Sequence, residues 1–147
     1  MAIALLSPVL AVVAAFSPLG SRSWERNAGL AEAQQHARIA LEELAFELKN
    51  AYYVEADQAR QVITYRKKID GEFKTYQVYL SGRQLLLNLP EGTAVPLASC
   101  IDALHMDPGG VLRGGETVTI TVYASSQEHN VALSSGVLPK NNGEGLR

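Results

Sequence analysis

The chain has 147 residues, with 13 Lys and Arg against 15 Asp and Glu, for a formal net charge of -2. That length holds one domain of ordinary size, and the slight acidity leaves no basic footprint for nucleic acid. The single cysteine, Cys100, excludes an intramolecular disulfide and reads as a small buried hydrophobe.

Residues 1–21 carry no charged side chain, and the first charge is Arg22. Fourteen of the first 16 residues are apolar, Ser7 and Pro8 being the exceptions. As a helix this stretch would span about 32 Å, close to the hydrocarbon thickness of a bilayer. Its packing residues are Ile3, Leu5, Leu6, Val9, Leu10, Val12, Val13 and Phe16. A cleaved signal peptide is one alternative, with Val13-Ala14-Ala15 as a cleavage site, but no Lys or Arg precedes it. A plain membrane anchor is another. Arg22 and Arg26 follow the apolar run, which by the positive-inside rule would hold the remainder in the cytoplasm. An exported domain needs basic residues upstream, so the expectation is that the chain starts late and lacks a short leader. Pro8, Pro18 and Gly20 weaken the helix locally.

From Glu25 to Tyr52 the pattern is helical. Ala37, Leu41, Leu44, Leu48 and Ala51 recur at steps of four and three, and Leu30 and Ala33 extend the face backwards. Arg38 and Glu42 can pair across one turn. Ile39 and Phe46 lie off this stripe. They either widen the buried face, which a helix covering a sheet favours, or form a second contact surface. His36 reads as solvated helix surface.

After Asp57 the period becomes two. Residues Val62 to Lys67, Phe73 to Leu80 and Arg83 to Leu89 form an antiparallel meander joined at Asp70-Gly71 and Ser81-Gly82. Ala94 to Ser99 contains Pro96 and is an edge strand or a loop. Cys100 to Asp107 is a strand with a bulge near Asp102. Glu116 to Tyr123 and Asn130 to Leu138 complete the strands, and Pro139 to Arg147 is a polar tail.

Sites for chemistry are sparse. Asp102, His105 and Asp107 are close in sequence, but on a regular strand Asp102 points away from the other two, and no zinc spacing is present. The serines lack a nucleophile elbow. Gly109-Gly110 and Gly114-Gly115 are turn residues rather than a phosphate loop, since no Lys-Ser/Thr follows. Tyr65, Tyr76 and Tyr79 with Lys67, Lys68 and Lys74 fit ordinary strand composition better than a nucleic-acid platform.

The segments Trp24-Glu25-Arg26, Leu30 to Leu44 and Glu47-Leu48-Lys49-Asn50-Ala51 resemble those of type IV pilin-like proteins. The closest likeness is to the minor pseudopilin group that includes the J-type subunits of type II secretion and PilW-like minor pilins. Gly82-Arg83-Gln84-Leu85, Val118 to Val122 and Gly136-Val137-Leu138-Pro139-Lys140-Asn141 resemble the family's later strands, with Lys140 where the family usually has Arg. The signature leader and its Phe-Thr-Leu-x-Glu opening are absent, and Met1 to Leu6 resembles the middle of the family's first helix. The Glu that pairs with a neighbour's N-terminus therefore has no counterpart in this sequence.

The resemblance implies an α+β fold: a long N-terminal helix with a protruding apolar half, packed on an antiparallel sheet of five to seven strands. Ala37, Leu41, Leu44 and Leu48 would contact the sheet. The expected divisions are 1–21, an apolar transmembrane or filament-core helix; 22–56, an amphipathic helix; 57–139, the β domain; and 140–147, the tail. The implied function is a structural minor subunit of a type IV pilus, competence pseudopilus or type II secretion pseudopilus, not an enzyme and without a cofactor. Implied partners are other pilins through the N-terminal helix and membrane lipid before assembly, with no nucleic acid. The location would be the bacterial inner membrane in a single pass, with the domain outside the cytoplasm, and afterwards a filament. The alternative is a membrane-anchored extracytoplasmic binding domain that never polymerises.

Overall fold

The computed structural model describes residues 28–126 and 129–140. Helix α1 covers 28–49. Nine strands follow in two antiparallel sheets. The first sheet holds β1 (Tyr53–Asp57), β2 (Val62–Ile69), β3 (Glu72–Ser81), β4 (Gln84–Asn88), β5 (Ala94–Ser99) and β7 (Gly110–Val111), in the order β5-β4-β3-β2-β1-β7. The second holds β6 (Ile101–Asp107), β8 (Val118–Ser126) and β9 (His129–Val137), in the order β6-β8-β9.

This corrects the expected fold class. Strands make up 55% of the structure and helix 20%, so the fold is mostly β rather than a long helix laid on a single sheet. Two local causes account for the difference. The helix stops at 49, not 52, because the Asn50 side chain donates to the Phe46 carbonyl at 3.3 Å and the Ala51 N–H to the Leu48 carbonyl at 3.0 Å. The Tyr52 N–H then donates to the Arg66 carbonyl at 2.9 Å, and Tyr53-Val54 enters β1, whose aromatic and β-branched residues suit a strand. The second cause lies at Cys100, which has a left-handed φ of 60° and turns the chain out of β5 into β6. All the later strands except the short β7 therefore build a separate sheet.

The meander β2-β3-β4 forms as the turns dictate. Asp70 and Gly71 have φ of 54° and 86°, the pair of positive values that a two-residue hairpin of matching twist requires. β5 pairs with β4 as an edge strand despite Pro96, and the β6–β8 register shifts between Ile101 and Ala103, placing the bulge at Asp102.

One hydrophobic core joins all three layers. Ala37, Ala40, Leu41, Leu44 and Leu48 of α1 are buried in the same cluster as Val54, Ile63, Tyr65, Val78 and Leu85 of the first sheet. Ile101, Leu104, Val118, Ile120 and Val122 of the second sheet complete it. Small residues at Ala33, Ala37 and Ala40 line the inward face of the first half of α1, and leucines line the second half. Arg83 fastens the two sheets. Its Nε donates to Asp102 Oδ1 at 2.9 Å and its Nη2 to Ser125 Oγ at 2.7 Å and to the Ser125 carbonyl, while its own carbonyl accepts from the Ile101 N–H at 3.0 Å.

Leu44 is fully buried at the centre of the stripe. Leu44→Ala is expected to lower stability by about 3 kcal/mol, measured by urea unfolding. A loss below about 1 kcal/mol would show that α1 contributes little to the core.

Candidate functional site

The surface of α1 is where the described structure and the sequence features meet. At about 100° per residue, Ile39 and Phe46 fall almost opposite the buried stripe. Ile39 is 38% exposed and Phe46 64%. They do not widen the buried face, which corrects the preferred reading of these two residues. The inward side is already filled by Ala33, Ala37, Ala40, Leu41, Leu44 and Leu48. The helix thus has apolar side chains on both its inward and its outward side.

Two polar ties set the orientation of α1. Toward the first sheet, Glu47 Oε2 accepts from the Tyr65 hydroxyl at 2.5 Å and from Lys67 Nζ. Glu47 and Lys67 side chains are only 14% and 16% exposed, so the ion pair is largely removed from water. Tyr65 is fully buried and stacks on Tyr76 with ring centres 5.4 Å apart. Lys67 Nζ also lies 5.9 Å from the centre of the Phe46 ring and 5.6 Å from that of Tyr76. Burial pushes the Tyr65 phenol well above its ordinary range, and the hydrogen bond to Glu47 and its negative charge add to the effect. Tyr53, on β1, is raised in the same direction by burial and by its hydroxyl's 2.8 Å bond to Glu55.

Toward the sheet seam, Glu32 Oε2 accepts from the Ser126 hydroxyl at 2.5 Å. His36 Nδ1 lies 3.4 Å from Ser99 Oγ, and its Nε2 lies 3.9 Å from Glu32 Oε1. The His36 side chain is 25% exposed, so it is wedged against the end of β5 rather than solvated, as its sequence context suggested. Serine, histidine and glutamate are the residue types of a nucleophilic triad. However, 3.9 Å is too long for the carboxylate to hold the imidazole by a hydrogen bond. The group fastens the start of α1 to the ends of β5 and β8.

The other candidates disperse. Tyr65 and Tyr76 face the core side of their sheet, while Tyr79 lies on the opposite side. The lysine and tyrosine groups therefore do not make one platform. Asp102 is held by Arg83. Among the described residues no three His, Cys, Asp or Glu side chains come together as a metal site. Ala37, Leu41, Leu44 and Leu48 are buried against both sheets. Ile3, Leu5, Leu6, Val9, Leu10, Val12, Val13 and Phe16 lie outside the described residues. Among the described residues no helix is long and apolar enough to cross a membrane. The Glu47–Tyr65–Lys67 group was not anticipated, since 18 and 20 residues separate its members and no local period links them.

Comparison with known proteins finds no matching family model, no matching curated protein and no matching solved structure.

A phenol raised in the folded state stays neutral there while the unfolded chain ionises near pH ~10. The stability that Tyr65 contributes is therefore intact below about pH 10 and falls as the pH rises above it. Tyr65→Phe is expected to cost about 1–3 kcal/mol at neutral pH, through the lost bond to Glu47. It should also flatten the alkaline fall in unfolding free energy, leaving the part due to Tyr53. Equal alkaline slopes in the two proteins would refute this account.

Proposed function

We propose that this chain is a structural subunit of a type IV pilin-like assembly, in the manner of a minor pilin or minor pseudopilin. The observation that carries the reading is the change of character along the N-terminal sequence. Residues 1–21 hold no charge, and the chain then enters a helix that buries its inward stripe and leaves Ile39 and Phe46 open on its outward side. Ile39 and Phe46 leave apolar surface open on that side. A subunit that packs among the helices of its neighbours uses both.

In this reading the apolar stretch rests in the bacterial inner membrane, with the β-rich domain outside the cytoplasm. An assembly motor lifts the subunit so that the stretch passes from lipid to a bundle of like segments. The transfer is nearly neutral in hydrophobic terms, because both surroundings are apolar, and packing decides the outcome. The partners are other pilin-like subunits, and lipid before assembly. The role is structural rather than catalytic: the Glu32, His36 and Ser99 side chains serve as a tie, and the polar groups around Glu47 saturate one another. The segments from Leu30 to Leu44 and from Glu47 to Ala51, which resemble those of the minor pseudopilin group, support the same reading.

A photo-crosslinker placed at Ala11 or Val12 separates this role from that of a static membrane-anchored binding domain. Protein crosslinks that appear only when the assembly motor is present are the expected result, and lipid contacts alone under both conditions would exclude filament entry. A second measurement uses Phe46→Glu. Because Phe46 is 64% exposed and its ring meets Lys67 Nζ only at 5.9 Å, its replacement should change unfolding free energy by no more than about 1 kcal/mol. It is expected to abolish incorporation into filaments; normal incorporation would remove the outward face of α1 from the assembly.

A further inference from the structure

The second sheet buries Val118, Ile120 and Val122 in the core and turns its other face outward. That outward face carries one large aromatic side chain. Along β8, Val122 and Ala124 are buried, so Tyr123 between them points away from the core, and it is 44% exposed. Directly across from it stand Ala103 on β6 and Ala132 on β9. A methyl group is too small to cover an aromatic ring, so the ring of Tyr123 is left open toward both neighbouring strands.

The bulge in β6 sets a carboxylate beside this ring. Ile101 and Leu104 are both buried, so two residues, Asp102 and Ala103, stand on the outward side between them. Arg83 then fixes the direction of the carboxylate. Its Nε donates to Asp102 Oδ1 at 2.9 Å, and its Nη2 is held by Ser125 Oγ at 2.7 Å. On β9, exposed Asn130 lies across from Ser125. Asp102, Tyr123 and Asn130 line a single hollow of 440 Å³, a volume within the ~300–1,000 Å³ of small-molecule sites. Among the described residues Asp102 Oδ2, the Tyr123 hydroxyl and the Asn130 side-chain amide meet no hydrogen-bonding partner. The hollow therefore joins an open aromatic ring to three free polar groups.

We propose that this hollow binds an uncharged saccharide. An open aromatic face attracts C–H groups by dispersion and through its negative quadrupole. A pyranose ring presents such C–H groups on one face and hydroxyls around its rim. Each hydroxyl both donates and accepts. One can donate to Asp102 Oδ2 while its neighbour meets the Asn130 amide, which also works in both directions. Charge excludes the ionic alternatives. The Asp102 carboxylate is already matched by the Arg83 guanidinium, so the hollow offers no net attraction to a cation or an anion. The site lies on the sheet face opposite α1, and binding there does not depend on assembly through the helix.

The probes are the methyl glycosides of glucose, galactose, mannose and N-acetylglucosamine, added to the full chain in phosphocholine micelles, whose headgroup is not a sugar. Binding is read by saturation transfer from the protein to the sugar C–H protons and by the shift of the Tyr123 ring signals. The expected result is that at least one glycoside binds through the C–H protons of one ring face. Tyr123→Ala should weaken that binding tenfold or more, and Tyr123→Phe, which keeps the ring, should hold it within threefold. Asn130→Ala should weaken it at least threefold. Asn130 takes part in no side-chain tie, so this variant carries the test if Tyr123→Ala fails to fold. N-acetylneuraminic acid, the charged control, should bind at least tenfold more weakly than the best glycoside. Four results would overturn the proposal: no transfer to any of the four glycosides, undiminished binding by folded Tyr123→Ala or by Asn130→Ala, equal binding of the charged sugar, or equal binding of cyclohexylmethanol, which has the C–H face but a single hydroxyl.

Discussion

The arrangement of the molecule depends on one condition: the two sheets have no sealed interior without α1. β2, β3 and β4 contribute Ile63, Tyr65, Val78 and Leu85, β6 and β8 contribute Ile101, Leu104, Ile120 and Val122, and all of these belong to the cluster that contains Leu44 and Leu48. Each such side chain gains about 1.5–3 kcal/mol by leaving water. That gain is available only if the helix stripe faces both sheets at once. The run of small residues at Ala33, Ala37 and Ala40 lets the first half of the helix lie close, and the larger Leu41, Leu44 and Leu48 fill the wider space farther on.

Apolar burial is not directional, so it does not by itself choose the rotation of the helix about its axis. The polar ties choose it. Glu47 reaches into the first sheet, where Tyr65 and Lys67 wait on β2, and a carboxylate so little exposed is stable only with such partners. A rotation by one residue would pull it away from both and bring Phe46 inward. The same set of contacts therefore fixes the stripe on the core and leaves the outward apolar pair in solvent. The surface proposed for assembly is a by-product of how the interior is locked.

Local chemistry in the sequence announced much of this, and non-local chemistry did not. The step pattern of Ala37, Leu41, Leu44 and Leu48 marks the helix, Asp70-Gly71 marks the hairpin, Pro96 marks an edge, and the broken alternation around Asp102 marks the bulge. Each is a feature a few residues long with one physical meaning. β1 was hidden because the apolar steps of the helix run on as far as Ala51, almost to its start, and the Asn50 side chain that ends the helix is an ordinary surface residue elsewhere. The division into two sheets was hidden too, because a left-handed backbone at a non-glycine residue such as Cys100 has no compositional sign. The partners of Glu47 and His36 are strands far along the chain, so nothing near either residue in sequence could have disclosed them.

The helix is fastened to the β layers near both of its ends. Glu32 takes the Ser126 hydroxyl at one end, and at the other the Lys49 carbonyl takes the Lys140 N–H at 3.0 Å. A pull along the helix axis consequently loads both fastenings and the whole leucine and alanine stripe together, in shear. Contacts loaded in parallel share a force, whereas contacts peeled from one end fail in turn. Separating α1 from the β layers by such a pull therefore requires many contacts to break at once.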